Sequence, residues 1–239
     1  MTPSPARTRG DVCACGERVP ARTLGRQYPY IAMPALIIFD FDGTLADSFG
    51  FFLSTQRTLA ARHGFRAAEA HEVDAARRLT TRELLKHSGL RSWRVPLVAA
   101  DFIRLMRAAP PPALFPGVDA ALRALHASGT RLALVSSNSV DNVQRALGAE
   151  LSALFAVFEG GAHLLGKHRA LRRVLRATGH TAAQAIYVGD QVADWEAAQV
   201  LGLPFAAVAW GYAHPDVFMQ LPNTHLIEEV EGLIALPGH

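Results

Sequence analysis

The sequence predicts an α/β fold, a Rossmann-like parallel sheet with helices on both faces and a helical cap inserted into it. Three observations carry this. Five short apolar runs recur along the chain, at 35–40, 132–135, 154–158, 185–188 and 205–209, each the length of a strand buried on both faces. Stretches of helical periodicity at 118–127, 168–177 and 194–201 lie between them, the alternation that parallel strands with crossover helices require. About ninety residues separate the first run from the second, far more than a crossover needs.

Taken in order, residues 1–33 lack apolar periodicity and are rich in Pro, Gly and Arg, so they are expected to be a disordered extension. Met33 stands immediately before the first run and is a candidate for the true start. Cys13 and Cys15 are the only cysteines. One intervening residue is poor spacing for a disulfide, and a metal site would want a second pair. Residues 34–50 and 114–239 form the expected α/β core. Residues 51–113 read as helices only, at 53–63, 82–87 and 98–108, closed by Pro110, Pro111 and Pro112. Asp47-Ser48 and Phe115-Pro116-Gly117 are the expected hinges of this cap. Phe49, Phe51 and Phe52 are read as packing between cap and core.

With 239 residues, half of them hydrophobic, the chain can bury one full-sized core and a small second lobe. No apolar run approaches the roughly 18 to 20 residues of a membrane span, and no leader resembles a secretory signal. The cytoplasm and a reducing interior are the expected compartment. The net charge of +3 comes from residues 1–33, which hold five Arg against Asp11 and Glu17. The remainder is balanced at 19 basic against 19 acidic residues, and nucleic acid is not an expected partner. The ten histidines show no ligand spacing and are read as structural.

The chemistry gathers where the apolar runs end. Asp40-Phe41-Asp42-Gly43-Thr44-Leu45 leaves the first strand, the position where open α/β sheets bind ligands. Two carboxylates so close want a cation, and Mg²⁺ suits all-oxygen ligands. With a phosphoryl group neutralised by the ion, one carboxylate is free to attack it. Asp42 can serve as proton donor and then as base, and Gly43 lets backbone approach the phosphate. An Asp pair with Gly-Thr is also ordinary turn chemistry, so the other strand ends matter. The second ends in Ser136-Ser137-Asn138 before a helix, an anion site or a simple cap. Lys167, one of only two lysines, opens the next helix and can bridge carboxylate and phosphate. The fourth strand ends in Gly189-Asp190, whose carboxylate would join the metal. Asp194 would hold a metal-bound water or cap the next helix.

Asp-x-Asp-Gly-Thr-Leu, the Ser after the second strand, the Lys at a helix start and Gly-Asp-x-x-x-Asp resemble the four motifs of the haloacid dehalogenase-like superfamily, in order, from about residue 35 to the end. Trp210-Gly211-Tyr212 and the stretch 223–227 are similar to the phosphoglycolate phosphatase branch. The resemblance implies strand order 3-2-1-4-5, Asp40 as nucleophile, Asp42 as acid/base, Ser136 as phosphate ligand and Lys167 as charge stabiliser. It also implies Mg²⁺ held by Asp40, the Asp42 backbone carbonyl and Asp190, and a cap closing over a small phosphorylated metabolite. Asp42 and Asp190 argue against a metal-free dehalogenase, and a phosphonate hydrolase would need Lys86 as its Schiff-base lysine. A sugar-phosphate mutase keeps the same aspartates. A non-catalytic binding module would have no need of both Asp40 and Asp42.

Overall fold

The computed structural model describes residues 34–161 and 166–236; the expectations placed on residues 1–33, Cys13 and Cys15 among them, lie outside these. The central strand β1 (Leu36–Phe39) is flanked in parallel by β2 (Arg131–Val135) and β4 (Ala185–Gly189). Paired on both edges, it has no exposed residue. Its side chains alternate between two cores, as a pleated strand must. Ile37 and Phe39 pack with Val118, Leu122, Val143 and Leu147 on one face. Leu36 and Ile38 pack with Ala170, Leu171, Val174 and Ala197 on the other.

The sheet has order β3-β2-β1-β4-β5-β6, with β3 at Phe155–Glu159, β5 at Phe205–Val208 and β6 at Thr224–Ile227. All pairings are parallel. The expected order holds for the first five strands, and β6 extends it. Thr224-His225-Leu226-Ile227 lies at the sheet edge with His225 exposed, so it lacks the apolar run that marks a strand covered on both sides.

The insertion holds α1 (Phe49–His63), α2 (Val73–Arg77), α3 (Thr81–Ser88) and α4 (Val95–Ala108). Helix α1 starts at Phe49, so the expected boundary after residue 50 falls within its first turn. It stops at Gly64, whose φ of 66° closes the helix in the left-handed region. Helix α3 starts with a capping box between Thr80 and Glu83. The core helices are α5 (Val118–Ala127), α6 (Val140–Ser152), α7 (Lys167–Thr178) and α8 (Val192–Gln199). The two chain crossings between insertion and core lie side by side. Asp47 N–H donates to Ala113 O (2.9 Å), Phe115 N–H to Leu45 O (3.0 Å), and Ala46 bridges Leu114 in antiparallel fashion.

Candidate active site

Strand order brings the ends of β1, β2 and β4 together, so Asp40, Ser136 and Asp190 stand on adjacent strands. Just past β1 the chain folds into a tight turn, in which the N–H groups of Thr44, Leu45 and Ala46 all donate to Phe41 O. Gly43 sits there with φ of 82°, and a Cβ on it would fall 2.2 Å from Asp190 Oδ2 and 2.6 Å from the Tyr212 ring. This position therefore demands a left-handed backbone and room for Asp190. Gly211 closes the other side, since a Cβ on it would lie 2.1 Å from Asp190 Cβ.

Helix α7 buries Lys167, Ala170, Leu171 and Val174, an i, i+3, i+4, i+7 stripe, so Lys167 enters the core on the apolar face. Its Nζ donates to Asp40 Oδ2 (2.7 Å) and Asp194 Oδ1 (2.6 Å), and it is 1% exposed. Burial works against the ammonium, but the facing carboxylates of Asp194 and Asp40 outweigh it and hold it charged. Lys167 is thus a buried, doubly paired ammonium and not a solvated surface charge.

Asp194 serves three partners. Oδ1 accepts from Lys167 and from the Tyr187 hydroxyl (2.9 Å), and Oδ2 accepts from Gln191 N–H (3.1 Å), which completes the capping box of α8. Capping, one of the two alternatives for Asp194, is thus present, together with a tether on Lys167 that spacing did not reveal. Asp190 Oδ1 accepts from Thr44 Oγ1 (3.2 Å) and Oδ2 from Tyr212 N–H (2.7 Å). Asp42 Oδ2 accepts from Asn138 Nδ2 (3.1 Å).

Ser136 is fully buried, and its Oγ accepts from Asn138 N–H (3.0 Å); Ser137 beside it is half-buried. Asn138, expected among the phosphate contacts, turns its amide toward Asp42 and toward Met106 Sδ (3.4 Å) of the insertion. Its Oδ1 accepts from Ser139 N–H and Asn142 Nδ2, both at 2.9 Å.

Asp40, Asp42, Asp190 and Asp194 are all buried, against Lys167 alone among their buried neighbours. Desolvation pushes the Asp40 carboxyl up to about 7, opposed by Lys167. It raises Asp42, with the Ser48 hydroxyl and the Asn138 amide opposing. It also raises Asp190 well above the carboxylate range, reinforced by Asp194 and Asp40. Such a cluster calls for a cation. Asp40, Asp190 and Asp194 each offer an oxygen, and these lie within 4.8 Å of one another. Asp40 Oδ1 is buried without a hydrogen-bond partner. Hard carboxylate oxygens with one orphaned atom fit a small divalent ion.

The insertion is seated on this site. Phe49 and Phe52 of α1 pack on the Tyr212 ring, with centroids 4.9 and 5.8 Å away, as expected for cap–core packing. Tyr212 OH meets Ser48 Oγ at 2.9 Å. Arg77 at the end of α2 donates to Gly211 O and Tyr212 O, both at 2.9 Å. The balance of charge outside residues 1–33 also conceals a segregation. Residues 49–113 hold ten Arg and Lys86 against five acidic residues, while 34–48 and 114–239 hold eight basic against fourteen acidic. A positive insertion therefore covers a negative core.

Tyr187, Asn142 and Arg77 escaped the sequence reading, and Tyr212 entered it only through the resemblance of 210–212, without its contacts to Ser48 and Asp190. Of the three missed, Tyr187 left a signal, a hydroxyl within an otherwise apolar strand.

The model of the haloacid dehalogenase-like hydrolases matches residues 37–208. A phosphoglycolate phosphatase from Synechococcus elongatus is 33% identical over 208 residues, covering 83% of this chain and 98% of its own. Among solved structures, a haloacid dehalogenase-like family hydrolase from Streptococcus pneumoniae superposes with a TM-score of 0.66 at 20% identity, over 84% of this chain and 96% of its own. CbbY from Rhodobacter sphaeroides in complex with phosphate gives 0.62 at 22% identity, over 86% and 99%. Motif geometry, family model and relatives agree: the chain belongs to the haloacid dehalogenase-like hydrolases, on the branch that resembles the phosphoglycolate phosphatases.

Proposed function

We propose that the protein hydrolyses a small phosphomonoester, phosphoglycolate first among the candidates, through a phosphorylated Asp40. The observation that carries this is the state of the Asp40 carboxylate. Lys167 pins Oδ2, and Oδ1 is buried without a partner, so one oxygen is held while the other is free to attack phosphorus. In the first step a P–O bond forms to Asp40 as the ester P–O bond breaks, and Asp42 gives its proton to the departing alkoxide. In the second, Asp42 takes a proton from water, which attacks phosphorus and releases Asp40 and inorganic phosphate.

In this reading Lys167 neutralises one equatorial oxygen of the transferring group, and Ser136 donates its hydroxyl proton to another. Asp40, Asp190 and the Asp42 backbone carbonyl would hold Mg²⁺, which when bound neutralises the phosphoryl oxygens. Helices α1 to α4 act as the lid that excludes water. The positive insertion favours an anionic substrate entering toward a negative floor.

The test is phosphate release from a panel of phosphorylated metabolites, phosphoglycolate included, with and without Mg²⁺, and with Asp40→Asn. Metal-dependent release by the parent and its loss in the variant are expected. A folded parent protein inert toward every ester sinks the proposal, and so would an isomeric sugar phosphate as the sole product.

A further inference from the structure

We infer that Asn142 is a positioning residue that makes the aim of Asp42 depend on the insertion being seated. This rests on the acid role proposed for Asp42. The chain of contacts is continuous. The carbonyl of Ile103 in α4 accepts from Asn142 Nδ2 (3.3 Å), and that same amide group donates to Asn138 Oδ1 (2.9 Å). Asn138 Nδ2 then donates to Asp42 Oδ2 (3.1 Å).

Donor and acceptor chemistry fixes the direction of this chain. An amide has two N–H donors on one side and an acceptor on the other. Asn142 divides its two donors between α4 and Asn138. Asn138 Oδ1 receives both that donor and the Ser139 N–H, so its nitrogen can face only Asp42 and Met106. A flipped Asn138 would set oxygen against the Asp42 carboxylate and leave Ser139 N–H without its acceptor. Both asparagines are buried, at 2% and 3% exposure, where an unmade hydrogen bond is costly.

The far end is anchored as firmly. Arg145, one turn further along α6, donates to the carbonyls of Met106 (2.8 Å), Arg107 (2.7 Å) and Ala109 (3.2 Å). These are carbonyls at the C-terminal end of α4, where a cation is favoured. Helix α6 therefore grips the last turn of α4 and passes its position to Asp42 through two amides. If the insertion lifts, Asn142 loses Ile103 O, Asn138 loses Met106, and the donor facing Asp42 is no longer fixed.

A misaimed acid matters only when the leaving group needs its proton. The test compares kcat/KM, with Mg²⁺ present, for an alkyl phosphate, whose alkoxide must be protonated, and for p-nitrophenyl phosphate, whose phenolate leaves unaided. Asn142→Ala should lower the alkyl value roughly 10- to 100-fold, part of what a positioned acid contributes, and the aryl value less than about 3-fold. Arg145→Ala, a surface change that leaves the core packed, should skew the two esters the same way and by less. It supplies the answer if Asn142→Ala does not fold. Equal losses on both esters in the folded variants would overturn the relay while leaving the phosphatase reading intact. A parent protein inert toward both esters would remove that reading and the relay together.

Discussion

Without a divalent ion, the protein should lose stability as pH rises, and magnesium should cancel the loss. The folded Asp40 carboxyl sits at about 7 against 3.8 for the unconstrained group, because burial disfavours its charge more than Lys167 favours it. A folded pKa above the unfolded one means that the native state holds the proton more tightly. The stabilisation is complete below 3.8 and is lost as pH climbs through 7. At about 1.4 kcal/mol per unit, the full span is worth about 4 kcal/mol, of which about 3 falls between pH 5 and 8. Asp42 and Asp190 are raised by the same desolvation and add in the same direction. A cation between Asp40 and Asp190 replaces the proton as counter-charge. Urea unfolding at about pH 5 and about pH 8, in EDTA and in millimolar MgCl2, measures the effect. The protein in EDTA should unfold at distinctly lower urea at the higher pH, and the gap should close with MgCl2. Equal or greater stability at the higher pH in EDTA would refute the account of these carboxylates.

Three further outcomes follow from the same geometry. Gly43→Ala combines a left-handed backbone, worth about 1–2 kcal/mol, with a Cβ that must displace Asp190 Oδ2, so calorimetric Mg²⁺ affinity should fall by at least about 10-fold; unchanged affinity would contradict the packing of Asp190 against that turn. Lys167→Met strands two buried carboxylates and should cost about 3–5 kcal/mol in urea unfolding, part of it recovered on adding Asp194→Asn; a neutral single variant would show the triad to be energetically idle. Arg77→Ala removes two charge-assisted hydrogen bonds to the 211–212 backbone and should cost about 1–3 kcal/mol while speeding proteolysis within α1–α4; an unchanged cleavage rate would count against the clamp.

The sequence disclosed the positions at strand ends. A polar residue closing a short apolar run is conspicuous, which is why Asp40, Ser136 and Asp190 could be named. Lys167 was marked by its rarity and its place at a helix start, but its full burial required knowing that it falls on the apolar stripe of α7. The roles of side-chain amides were hidden. Whether Asn138 faces a phosphate or Asp42 is decided by Asn142, four residues on, and by α4, more than thirty residues back in the chain. Arg77 and the contacts of Tyr212 were hidden for a related reason, since Arg77 reaches the carbonyls of 211–212 and Tyr212 N–H reaches Asp190, partners far away in sequence bound through backbone groups that carry no compositional mark. Strand β6 lacks a continuous apolar run because it pairs at the sheet edge, and the total charge balance masked an opposition visible only when the chain is divided at the insertion.

The paired crossings at 45–47 and 113–115 bear on how such a protein can diversify. The backbone hydrogen bonds there hold the two ends of the insertion side by side, at hydrogen-bonding distance, whatever lies between them. From the core, the whole of α1 to α4 is a loop whose closure is already fixed by a strap of the core's own backbone. Closure entropy grows only with the logarithm of loop length, about 0.6 kcal/mol for each doubling. Residues between the crossings can therefore be lengthened, shortened or exchanged at little thermodynamic cost to the sheet, provided that what replaces them still presents carbonyls to Arg145 and Asn142 and a cation to the loop at 211–212. The aspartates can stay where they are while the surface that chooses among phosphate esters is rewritten.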